Sequence, residues 1–172
     1  ENIKTNIHEA IDRAKLVLGI SAPTLSTKLR LGGVHTLAGG KDSYDVIHQA
    51  IPLFGIQKDE LRKKLGGAIL EREVLMGTGM GKGIAFHHPR NPIAVKDIPE
   101  FISVCYLDTP VDFGAPDGIA AFCTIFLVSS SAKSHLETLS AMGRLCKQEA
   151  FVKLLEKRSG IEELIDYIEN QR

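Results

Sequence analysis

Apolar positions recur along this chain with two periods, and the places where the period changes divide it into elements. Val46, Ile47, Ala50, Ile51 and Phe54 fall at helical spacing from Ser43 onward, and Leu61, Leu65, Ala68 and Ile69 repeat that spacing in the next segment. Two helices are therefore expected to lead into the pair Arg72-Glu73. The texture then changes. EVLMGTGMGKGIAFHHPRNP carries Gly77, Gly79, Gly81 and Gly83 at every second position, and such alternation ends a helix and favours a wide turn or an irregular edge strand. FISVCYL (101–107) and AAFCTIFLV (120–128) are rich in β-branched and aromatic residues and read as strands, the second buried on both faces. Pro110, Gly114, Pro116 and Gly118 make the stretch between them a turn-rich connector. Serines at 129–131 then offer caps for a helix whose inward stripe runs through His135, Leu139, Met142 and Cys146. Ser159, with Glu162 three residues on, is a capping-box pattern announcing a last helix from Ile161. Helices alternating with strands give the α/β class: a single compact domain with a mixed β-sheet flanked by helices.

Composition narrows the function. The chain has 172 residues, 44% of them hydrophobic, which suits one domain with a real core. Its 21 Lys+Arg balance 21 Asp+Glu, so no global field gathers phosphate backbones or anionic lipid, and generic nucleic-acid or membrane binding is not expected. No apolar run reaches the roughly 20 residues that a membrane span needs. The first residues, ENIKTNIHEA, have neither a basic n-region nor an apolar h-region; a cytoplasmic location is the expectation. Cys105, Cys123 and Cys146 have no CxxC spacing and read as small core residues of a protein in a reducing compartment.

The glycine-rich stretch invites a phosphate-loop reading, yet it is no nucleotide fingerprint. Gly81-Lys82 is followed by Gly83 where a P-loop has Ser or Thr, and neither Gly77-Thr78-Gly79 nor Gly79-Met80-Gly81 continues into Gly-x-Gly-x-x-Gly. No pair of histidines has the His-x-x-x-His spacing of a zinc site, so no metal is assigned. No Gly-x-Ser-x-Gly elbow supports acyl chemistry either. What stands out is His87-His88 at the end of the stretch. Adjacent side chains on an extended segment point to opposite faces, so one of the two is expected to face a pocket. Pro89 and Pro92 stiffen the loop that follows.

These residues resemble a known family. Arg72-Glu73, then Thr78-Gly79-Met80-Gly81-Lys82-Gly83-Ile84-Ala85-Phe86-His87-His88, is similar to the active-site signature of the mannitol/fructose-type enzyme IIA domain of the bacterial phosphoenolpyruvate-dependent phosphotransferase system, a family that includes nitrogen-regulatory IIA proteins. A second block resembles its later half: PVDFGAPDG (110–118), an apolar strand, then His135-Leu136 opening a helix. The resemblance implies a phosphocarrier. His88 would accept a phosphoryl group from the small histidine-containing phosphocarrier protein and pass it to a IIB component or signal to a regulatory target. Arg72 and His135 would complete the site, with Thr78, Gly79, Gly81, Gly83 and His87 around the phosphate. No metal, nucleotide or other cofactor is implied. One position departs from the signature, which has proline where this chain has His87.

The expected domains are an N-terminal helical extension, 1–31, and the IIA domain, 32–172. HEAIDRAKLVLGISAPTLSTKLRLGGV in the extension faintly resembles a helix-turn-helix, with Leu18-Gly19-Ile20-Ser21 as the turn and Thr24-Leu25-Ser26 opening a second helix. A regulator fragment that binds DNA, or a binding module with an unused site, is the alternative function. The lack of transporter segments and of a IIB module favours a regulatory, nitrogen-type member.

Overall fold

A five-stranded mixed sheet is covered by helices on both faces in the computed structural model, which describes residues 7, 10, 11, 14, 23–93 and 98–171. In chain order the elements are α1 (Leu25–Gly32), β1 (Val34–Leu37), α2 (Ser43–Ala50), a 3-10 turn (Ile51–Phe54), α3 (Asp59–Leu75), β2 (Gly79–Gly81), β3 (Ile84–His87), β4 (Phe101–Val111), β5 (Ala121–Val128), α4 (Ala132–Leu145), α5 (Glu149–Glu156) and α6 (Ile161–Glu169). The strand order is β1-β4-β5-β3-β2. β1 pairs with β4 in parallel, β4 with β5 antiparallel, β5 with β3 in parallel and β3 with β2 antiparallel.

Side-chain alternation along the strands builds two cores. Ala85, Cys105, Leu107 and Phe126 face Val46, Ile47, Phe54, Leu65 and Ile69 of α2, the 3-10 turn and α3. Ile84, Phe86, Val104, Tyr106 and Ile125 face Leu29, Met142, Phe151, Leu155 and Leu164 of α1, α4, α5 and α6. The central strands β4, as far as Leu107, and β5 thus read as near-continuous apolar runs because they are covered on both sides. Cys105, Cys123 and Cys146 are free and buried. Among the described residues, no helix is long and apolar enough to cross a membrane.

Local expectations differ from the structure in two places. β4 does not stop at Leu107 but runs to Val111, which pairs with Ala121 across an irregularity. Pro110 is tolerated because residues 108–110 lie in the irregular stretch, where the β4–β5 ladder needs no donor from them. The last helix starts at Ile161 as expected, but its cap is Gly160, without a side-chain hydrogen bond, rather than Ser159. Gly77 and Gly79 serve a close approach. A Cβ on Gly77 would meet the Phe113 carbonyl oxygen at 2.4 Å and one on Gly79 the Ala115 nitrogen at 2.6 Å, so the loop after β4 lies directly against this backbone. The hairpin itself turns through Lys82 (φ 54°) and Gly83 (φ 73°), the positive pair that a tight two-residue connection demands. Of the helix-turn-helix expectation, Thr24 does cap α1, whereas the turn at 18–21 lies outside the described residues.

Candidate functional site

β3 ends at His87, and the pleat sends that residue and its successor to opposite sides of the sheet. His87 faces α3. It is fully buried, with its ring edge-on to Phe113 at 4.6 Å and stacked on Phe126 at 5.1 Å. Its Nδ1 pairs with Thr124 Oγ1 at 2.5 Å, while Nε2 lies 3.5 Å from Thr78 Oγ1 and 3.6 Å from Glu73 Oε2. Thr78 Oγ1 donates to the same carboxylate at 2.6 Å. Burial, with the neighbouring His88 adding to it, pushes the His87 imidazole down to about 3, so it is neutral at physiological pH.

His88 faces the opposite layer. Its ring centroid lies 4.7 Å from that of His135, at 53° between planes. Because a carbonyl only accepts, the contact with Pro89 O at 3.0 Å fixes Nδ1 of His88 as the donor. Nε2 is then the nitrogen carrying a lone pair. Burial lowers the His88 proton affinity and Arg72 lowers it further, against opposing effects of the Pro89 hydrogen bond and Glu73. Burial and then His88 lower that of His135 as well. Two neutral imidazoles side by side result.

His135 is delivered by α4, which starts directly after β5. Ser131 caps that helix by accepting from Ser134 N at 3.1 Å. His135 therefore stands in a first turn, where the helix dipole favours negative charge. Arg72 comes from the last turn of α3 and donates through Nη1 to Met76 O at 2.9 Å, which holds the guanidinium at the mouth of a recess. The recess has a volume of about 350 Å³, and Arg72, Met76, Thr78, Gly79, His88 and Leu139 line it. It combines a fixed cation and a neutral imidazole in a space suited to a tetrahedral oxyanion, and the His135 ring stands against His88 without itself lining that space.

The structure gathers Arg72, Thr78, Gly79 and His88 around the recess and sets His135 against His88; Gly81 and Gly83 lie outside it, and His87 meets Thr78 only from the buried side. Gly81 and Gly83 belong to the hairpin, and a Cβ on Gly83 would strike the Phe122 ring at 2.5 Å. The backbone N–H of Gly79, which the family resemblance places near the phosphate, is already used in donating to Phe113 O at 2.9 Å. His87 is sealed in the core. Sequence reasoning passes over Thr124, although a lone hydroxyl in the apolar run AFCTIFLV is a signal that something polar is buried opposite it. Among the described residues, no group of three or more His, Cys, Asp or Glu is arranged to hold a metal.

Residues 32–171 match the family model described as phosphoenolpyruvate-dependent sugar phosphotransferase system, EIIA 2. A nitrogen regulatory protein of Klebsiella oxytoca is 29% identical over 104 residues, 59% of this chain and 62% of that protein. The chain thus spans about three-fifths of the length of this curated relative. Among solved structures, nitrogen regulatory protein IIA-Ntr from Neisseria meningitidis superposes with a TM-score of 0.67 at 23% identity, covering 80% of this chain and 94% of the other. A chain from a complex of enzyme IIA mannitol and phosphorylated enzyme IIB mannitol from Escherichia coli gives a TM-score of 0.59 at 19% identity, covering 79% of this chain and 94% of that one. These likenesses establish a shared fold.

Proposed function

We propose that this chain, which belongs to the EIIA 2 family of the phosphoenolpyruvate-dependent sugar phosphotransferase system, is a phosphoryl carrier that is loaded on Nε2 of His88. The observation that carries this reading is the hydrogen bond from His88 Nδ1 to Pro89 O, which leaves Nε2 unprotonated beside His135. In the transfer, that lone pair forms a bond to phosphorus as the donor's phosphorus–nitrogen bond breaks and the donor imidazole departs with the bonding pair. Charge spreads over three equatorial oxygens in such a transition state, so placement and positive potential do most of the catalysis. Arg72 offers a permanent cation with forked donors. His135, at a helix start, donates a hydrogen bond to the same oxygens. Because burial keeps His88 neutral below the ordinary imidazole range, it accepts phosphate at pH values where a free histidine is already protonated.

The donor in this proposal is the histidine-containing phosphocarrier protein, and the acceptor is a IIB component or a regulatory target. The solved complex of enzyme IIA mannitol with phosphorylated enzyme IIB mannitol supports the first acceptor. The nitrogen regulatory relatives support the second, and we favour it. Residues 1–31 form an extension ahead of the domain, and the carrier works in the cytoplasm. The test is incubation of the chain with phosphoenolpyruvate, enzyme I and the phosphocarrier, followed by mass spectrometry. The expected result is one acid-labile phosphoryl group, with uptake persisting as pH falls below 6.5; a chain that stays unmodified overturns the reading.

A further inference from the structure

α1 lies in the same layer as α4, and most of it precedes the residues that the family model covers. It nevertheless reaches the site. Among the described residues Lys28 is the one lysine to be buried, at 5% exposed. Its Nζ donates to Ser134 Oγ at 2.9 Å and Thr138 Oγ1 at 2.7 Å and lies 3.0 Å from Glu100 Oε2. An ammonium has three N–H groups, and each has an acceptor here. Glu100 is equally engaged, accepting from Ser134 Oγ at 2.7 Å, from Ser130 N at 2.9 Å and from Ser130 Oγ at 2.5 Å. Burial pushes the Glu100 carboxyl up, but the bonds from Ser130, Ser134 and Lys28 outweigh it and hold the group down at about 2.

Every partner of this pair except Lys28 and Glu100 themselves belongs to the first turns of α4 or to the loop that delivers it. Ser134 directly precedes His135, and Thr138 lies three residues beyond it. A buried ion pair is a poor source of net stability, since apolar replacements of similar volume do as well. What saturated, directional bonds do supply is a fixed setting of one element against another. We propose that Lys28 and Glu100 are positioning residues, setting the rotation of α4 and thereby the approach of the His135 ring to His88, so that a residue ahead of the family domain takes part in phosphoryl transfer. This rests on the carrier reading above.

The test compares the intact chain with Lys28→Met, Glu100→Gln, Lys28→Arg and the milder Thr138→Val. Lys28→Met and Glu100→Gln are each expected to slow phosphate uptake at saturating donor about tenfold, because small misplacements of reacting groups are costly, while the donor concentration giving half the maximal rate stays within about twofold. The His135 Cε1–H resonance and its titration midpoint should move in both. Lys28→Arg should regain a large part of the rate. An unchanged rate with an unmoved His135 resonance would reduce the pair to packing, and a rise in half-saturating donor concentration with no change in maximal rate would overturn the proposal too. Should Lys28→Met fail to fold, Thr138→Val removes one acceptor only. It is then expected to give a rate loss of a few fold and a shifted His135 resonance, and the absence of both overturns the proposal. If the parent chain takes up no phosphate, the carrier reading fails, and the His135 resonance, read without any donor, still decides whether Lys28 sets that ring.

Discussion

One peptide bond separates two histidines whose surroundings differ in every respect that matters to chemistry. On the α3 side, His87 is packed between Phe113 and Phe126, with Thr124 on one nitrogen and Thr78 and Glu73 about the other. On the α4 side, His88 has one nitrogen committed to Pro89 and the other clear, in a recess that Arg72 enters. The pleat of β3 assigns the sides. Residue type therefore does not decide which imidazole is reactive. What decides is how many of its nitrogens the fold has already used.

The contrast breaks most sharply by substitution at each position. His88→Ala is expected to abolish phosphate uptake, while His87→Gln, which keeps a polar group against Thr124, retains it; labelled mass measured on both variants checks this, and the opposite pattern would move the reactive nitrogen to the sealed side. Arg72→Ala tests what the open side owes to its cation. Removing one preorganised charge partner should cost about 100-fold in transfer rate, whereas thermal unfolding should change little, because among the described residues this half-buried side chain hydrogen-bonds only to Met76 O. The sealed side is tested by acid. His87 protonates near 6.5 in an unfolded chain and near 3 in the fold, so between those values the unfolded state binds more protons. Its contribution is fully present above pH 6.5 and is lost as pH falls toward 3, at up to about 1.4 kcal/mol per pH unit for this one group. Urea unfolding at a series of pH values should show that slope flattened by about one proton in His87→Gln.

Much of this was legible in the residues. Periodicity locates α2, α3 and the two long strands, and the family resemblance of the two motif blocks implies Arg72, His88 and His135 as the site. The alternation rule also predicts that only one of the paired histidines reaches a pocket. Spacing alone says less about the glycines. Gly77 and Gly79 look like places where a ligand approaches, but what approaches is the protein's own loop at 113–115, and a local pattern carries no trace of which distant backbone will lie on it. The same holds for Lys28: a lysine on a short helix reads as solvent-facing until Glu100, Ser134 and Thr138, all far along the chain, are brought to it. Pro110 misleads in the other direction, since it marks a turn unless the strand is irregular there.

The parallel pairing of β3 with β5, which sets Ile84 beside Cys123 and His87 beside Phe126, has a kinetic corollary. His88 follows one of those strands and His135 the other, so neither half is complete until two distant stretches have found their register. Closing so large a loop is entropically costly before any contact rewards it. On the carrier reading, a nascent or refolding molecule is therefore expected to complete its acceptor centre late, and a partly assembled chain would escape premature loading.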